Sequence, residues 1–180
     1  MPTATRRLTT AKAETGFSLI ELLVVVAIIL ILAAIAIPNF LRARMAANEA
    51  SAAEDVRTIT TAAVVYHTTW GNGFPALLST LGGPGPLATC NQAVLIDTIL
   101  ASGQKGGYTF GYTPQGAPVT PPPTCAPAGY EAYLVSAKPL SPGATGQRSF
   151  CSTTPGVIHY NTTGAAIGSP AACDALPALQ

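Results

Sequence analysis

Glu21 is the residue in this chain with the clearest chemical demand. It stands at the head of an apolar run in which every residue from Leu22 to Ile37 is apolar. An ionised carboxylate in such a setting costs several kcal/mol unless a cation pairs with it. No neighbour in sequence supplies that cation, so the partner is expected from outside the helix that carries Glu21. The other reactive groups are Cys90, Cys125, Cys151 and Cys173, all beyond the apolar run. Their even number fits disulfides in an oxidising compartment. None of their spacings matches a zinc site. His67 and His159 lack a Cys or carboxylate cluster nearby in sequence and are expected to be structural. No metal and no cofactor is expected.

The elements that must place Glu21 follow from composition. The stretch from Phe17 to Ile37 is long enough to cross about 30 Å of hydrocarbon as a helix. Before Gly16, Arg6, Arg7 and Lys12 against Glu14 give +2 (three minus one); the remainder carries six basic and seven acidic residues, or −1. A basic stretch ahead of a membrane-length run predicts a cytoplasmic N-terminus and a translocated C-terminal part. A secretory signal places its small-residue cleavage site after the apolar stretch. Here Gly16 lies before it, so a cut at Gly16 leaves the apolar segment on the mature chain. Hydropathy alone favours an uncleaved single-span anchor.

The residues Gly16-Phe17-Ser18-Leu19-Ile20-Glu21 resemble the processing motif of type IV prepilins and type II secretion pseudopilins. The likeness continues through Leu22-Leu23-Val24-Val25-Val26-Ala27-Ile28-Ile29 to Ala34-Ile35-Ala36-Ile37-Pro38-Asn39-Phe40. It implies a cytoplasmic leader, residues 1–16, removed by an inner-membrane prepilin peptidase that cuts after Gly16 and methylates the new amine on Phe17. It also implies a role for Glu21 in subunit assembly. Residue chemistry agrees: glycine leaves the scissile backbone accessible. The released α-amine, with an unperturbed pKa of about 8, is mostly cationic at neutral pH. Paired with Glu21 of an adjacent subunit, it would set helix register more than add stability. Pro38 removes the hydrogen bond to the carbonyl of Ala34, so a kink or local melting is expected there. The family's usual glycine or proline around Thr58 is missing.

Residues 17–38 thus read as a transmembrane and filament-core helix, and 39–70 as its amphipathic continuation. Leu41, Met45, Ala52, Val56, Ile59, Ala63 and Tyr66 make one apolar stripe. Arg42, Arg44, Glu49, Glu54, Asp55 and Arg57 are placed on the opposite, solvent side. Residues 71–180 read as a globular head. It begins with Gly71-Asn72-Gly73-Phe74-Pro75 and a Gly/Pro-rich connection. A short helix is expected over 91–102, then strands over 107–113, 130–137, 148–152 and 157–160. The Pro-rich stretch from Pro114 to Pro127 is expected to be an exposed loop. The fold class is therefore α+β: a long N-terminal helix packed on a small antiparallel sheet of about four strands, the pilin arrangement. Four cysteines allow three connectivities. Cys90–Cys125, across the helix-to-sheet connection, and Cys151–Cys173, closing the C-terminal loop, are the expected pair.

Charged residues are 9% of the chain and the net charge is +1, so no electrostatic case for nucleic acid exists. No Gly-x-Ser-x-Gly or phosphate-binding loop occurs, and no catalytic residue is assigned. The head has no paired carboxylates, its acidic residues being Asp97, Glu131 and Asp174. Asn161-Thr162-Thr163 matches a glycosylation sequon. The expected function is a structural subunit polymerising into a type IV pilus, serving adhesion, twitching motility or DNA uptake. Its expected partners are copies of itself in a helical filament, the prepilin peptidase, an inner-membrane assembly platform and membrane lipid before assembly. The precursor is expected in the inner membrane, the mature chain on the cell surface. A type II secretion pseudopilin is the alternative, although only Asp174 stands where such proteins often carry a carboxylate-rich calcium loop. A monomeric membrane-anchored binding module explains the hydropathy but not the Gly16, Phe17 and Glu21 register.

Overall fold

The computed structural model describes residues 16–123, 125 and 128–179. The expected leader, with Arg6, Arg7, Lys12 and Glu14, lies outside the described residues, as do Thr124, Ala126 and Pro127 of the Pro-rich stretch. The chain divides between Phe40 and Leu41 into two compact units. Helix α1, Leu19–Trp70, contributes residues to both.

In the first unit α1 is a helix of exposed apolar side chains, with Leu19, Ile20, Leu30, Ile31, Leu32 and Ile35 each more than three-fifths uncovered. Its composition explains the helix: Leu and Ala are strong helix formers, and the Val and Ile residues are tolerated in a helix this apolar. The expected melting at Pro38 does not occur; the backbone is helical through it. Proline forfeits one hydrogen bond, and the intact bonds of the turns on either side hold the helix.

The second unit is the head. It contains the rest of α1, then α2 (Leu78–Leu81), α3 (Thr98–Ala101), β1 (Gln104–Lys105), β2 (Tyr108–Pro118), β3 (Tyr130–Pro139), β4 (Ser149–Thr153), β5 (Ile158–Asn161) and α4 (Pro170–Asp174). The strands form one antiparallel sheet in sequence order, with Phe110 opposite Ala137, Ser136 opposite Cys151 and Cys151 opposite His159. Ala52, Val56, Ile59, Ala63 and Tyr66 of α1 pack on Tyr108, Phe110, Tyr133, Val135 and Phe150 of the sheet. Alternation along β3 and β4 puts Leu134 and Cys151 on the other face, against Ile167, Cys173 and Leu176. This is an α+β helix-on-sheet head of the pilin kind.

Four expectations are corrected. The sheet has five strands, because the two-residue β1 pairs Gln104 with Thr109 and Lys105 with Tyr108. The helix expected over 91–102 is only α3. Ala93 and Leu95 donate instead to the Thr80 and Leu81 carbonyls, and the Asp97 carboxylate caps α3 by accepting from Leu100 N–H at 2.8 Å. The expected Pro114–Pro127 loop starts later, because β2 runs on to Pro118. Beyond Thr109 that strand borders only β3, and an edge strand accommodates proline. The stripe on α1 is buried from Ala52 onward, while Leu41 is exposed and Met45 half-buried.

Candidate assembly segment and the ties that hold the head

Gly16, Phe17 and Ser18 precede α1 in non-helical backbone. Nothing lies within 4 Å of where a Gly16 side chain would begin, and Phe17 is 78% exposed. The Gly16–Phe17 peptide is therefore uncovered among the described residues. The Ser18 carbonyl accepts from the N–H groups of Glu21 and Leu22, at 3.1 and 3.2 Å, which starts the helix. Glu21 sits in the first turn, where the positive end of the helix dipole favours a carboxylate. Its side chain is exposed, and among the described residues no cation pairs with it. Gly16, Phe17 and Glu21 are brought together at one helix end. Pro38 lies further along, by about 25 Å of helix from Glu21.

The cysteines form two disulfides in the head. Cys90 and Cys125 are bonded with Cα atoms 5.8 Å apart, and Cys151 and Cys173 with Cα atoms 6.0 Å apart. The first sits in a buried polar knot: Tyr66 hydroxyl donates to the Cys90 carbonyl at 2.8 Å, and Asn72 Nδ2 donates to Tyr66 Oη and Cys125 Sγ, both at 3.1 Å. The second fastens α4 to β4, beside Thr153, whose hydroxyl donates to the Asp174 carboxylate at 2.8 Å. His159 donates from Nδ1 to the Leu176 carbonyl at 2.7 Å, and His67 stacks on Phe74 with centroids 4.8 Å apart. Among the described residues no group of three His, Cys, Asp or Glu side chains could hold a metal.

Two carboxylates assigned by sequence to the solvent side of α1 are buried. Glu49 is 7% exposed and accepts from Gln147 N–H at 2.6 Å, Arg148 N–H at 3.1 Å and Arg148 Nε at 2.7 Å. Burial alone would raise its pKa, but these donors outweigh it and hold the carboxyl below its ordinary value. Asp55 accepts from Lys105 Nζ at 2.8 Å, and the same ammonium reaches Asp97 at 3.1 Å. The Asp55 carboxylate, more than the opposing burial, and then Asp97, hold Lys105 above its ordinary pKa. Tyr108, whose hydroxyl donates to the Arg148 carbonyl at 2.8 Å, is pushed up to about 12 by burial and then by the Glu49 charge. The signal for Glu49 was present in the sequence. Met45, Glu49, Ala52, Val56, Ile59, Ala63 and Tyr66 advance in steps of four and three, so Glu49 occupies a stripe position.

Comparison with known proteins places the open helix end in a family context. Residues 11–37 match the Prokaryotic N-terminal methylation motif. The chain is 68% identical over 34 residues to the type IV wide pilus major component PilA4 of Thermus thermophilus. That match covers 19% of this chain and 26% of that protein's length. No solved structure matches the chain. The chain is thus similar to a type IV pilus component over a short stretch, and its methylation-motif segment is joined to a helix-on-sheet head.

Proposed function

We propose that this chain is a structural subunit that polymerises into a type IV pilus. One observation carries the reading: an apolar helix whose side chains are left uncovered begins with a carboxylate one turn after an open Gly–aromatic peptide. Uncovered apolar surface on that scale needs lipid or other subunits around it. The helix from Leu19 to Phe40 has about 33 Å of rise, enough for either. The 34-residue match to a type IV pilus component supports the filament.

In this reading residues 1–16 are a cytoplasmic leader that prepilin peptidase removes, and Phe17 becomes the N-methylated first residue. Residues 17–38 hold the precursor in the inner membrane and later enter the filament core, delivered by an inner-membrane assembly platform. Residues 39–70 carry the head, residues 71–180, which faces outward on the cell surface. The Phe17 amine of one subunit neutralises Glu21 of another. A mis-registered helix leaves both charges unpaired in apolar surroundings, so the pair selects register. Adhesion, twitching motility and DNA uptake are activities such a filament serves.

Mass spectrometry of the chain recovered from surface filaments tests this. An N-terminal methylated Phe17 is expected. A chain that retains Met1 in the membrane and never appears in sheared filaments would instead make it a simple anchored protein.

A further inference from the structure

We propose that Asn161 is an acceptor for an N-linked glycan. Of the chain's asparagines, only Asn161 has a hydroxyl residue two positions on, with a non-proline between: Asn161-Thr162-Thr163. A sequon is common by chance; what matters is where the fold puts it. Asn161 is the last residue of β5, paired with Ser149, and the ladder stops there. The C-terminal segment covers β5 only as far as Tyr160: Tyr160 N–H donates to the Pro177 carbonyl at 3.1 Å, and Leu179 N–H to the Ile158 carbonyl at 2.7 Å. Thr162 and Thr163 are exposed. Gly164, at φ +70, turns the chain away, and a side chain there would meet the Gln147 carbonyl at 2.9 Å. The sequon therefore occupies a tight surface turn at a strand end, with Asn161 half-buried and both threonines exposed.

The local hydrogen bonds orient the carboxamide for reaction. Asn161 Oδ1 accepts from Thr163 N–H and from the Thr163 hydroxyl, both at 2.9 Å. The oxygen is thus engaged on the sequon threonine, while Nδ2 has no partner among the described residues. Asn48 and Asn72 differ, because each commits Nδ2 to the protein: Asn48 to the Thr145 carbonyl at 2.9 Å, Asn72 to Tyr66 and Cys125. The donor substrate is a polyprenyl-pyrophosphate-linked oligosaccharide, used by a membrane glycosyltransferase on the translocated side. Asn161 Nδ2 forms a bond to the sugar C1, the C1–oxygen bond to pyrophosphate breaks, and Nδ2 loses one proton. The glycan would cover an uncharged, hydroxyl-rich patch of a head with few charges of its own. The inference rests on the proposed function only for the export of the head.

The test uses the full chain purified from the cells that make it naturally, digested and sequenced by mass spectrometry. The peptide containing Asn161 is expected to carry hexose or N-acetylhexosamine residues, which a glycan-releasing amidase removes with conversion of asparagine to aspartate. Thr163→Ser should keep the modification; Thr163→Ala and Asn161→Gln should abolish it. A bare Asn161 in the native protein overturns the proposal, as does a glycan on that peptide that survives Thr163→Ala. Filaments counted in the same preparation separate the two readings, since filaments with bare Asn161 overturn this inference alone.

Discussion

Glu49 on the long helix and Arg148 before β4, 99 residues apart in sequence, meet at 2.7 Å, the carboxylate buried and the guanidinium side chain part-exposed. The contact pins the loop after β3 to the helix, and the Arg148 guanidinium also lies over the rings of Phe150 and Tyr160, at 5.7 and 5.6 Å. A charge that fails to find its partner here is left in the protein, which makes the pair a strong determinant of how helix and sheet dock.

Replacing Glu49 by glutamine is expected to destabilise the head by about 1–3 kcal/mol, because one accepting oxygen and the charge are lost beneath three donors. The effect should depend on pH. The folded-state pKa of Glu49 is lowered from 4.5, so its contribution is complete above that value and disappears as pH falls through the lower folded-state pKa. Thermal unfolding of the chain in detergent, from pH 7 down to pH 3, should show the two proteins converging at the acid end. Equal separation across that range would contradict the assignment.

The Cys151–Cys173 disulfide closes a loop with a sequence separation of 22. A double replacement by alanine is expected to cost about 3 kcal/mol, mainly by freeing the unfolded chain. Hydrogen exchange should then rise first at α4 and at the amides of Leu176 and Leu179, which donate to the Cys173 and Ile158 carbonyls. Unchanged protection there would mean that packing of Ile167 and Leu176, rather than the bond, holds the C-terminal segment.

Val94 is a β-branched residue at φ +52, a left-handed conformation that costs roughly 1–2 kcal/mol outside glycine. Its side chain is 39% exposed, so little packing is lost on removal. Val94→Gly is therefore expected to raise the melting temperature by a few degrees, the gain being reduced by the added freedom of unfolded glycine. A lower melting temperature would show that Val94 contributes contacts worth more than its strain.

How far the sequence could be read follows from the range of the interactions. The apolar run, the Gly16–Phe17–Glu21 spacing and the alternation of Tyr108, Phe110 and Tyr112 are local signals, and helix and strands appear where they point. The helix expected over 91–102 fails because Ala93 and Leu95 bond to residues 80 and 81, a pairing no local period encodes. Glu49 and Asp55 look like solvent-facing charges because charged residues usually are. Their partners, Arg148 and Lys105, lie 99 and 50 positions away. Proline in β2 points to a loop for a similar reason, since only the sheet order reveals that this part of the strand is an edge.

In the proposed filament, Glu21 selects the register in which copies of this chain assemble. The most direct measurement is the yield of sheared surface filaments from cells making Glu21→Gln, with cleavage at Gly16 followed in the same samples. Normal cleavage and membrane insertion are expected, with filaments reduced roughly tenfold or more, the effect of losing as little as about 1.4 kcal/mol of pairing. Filament yield equal to that of the unaltered chain would contradict it.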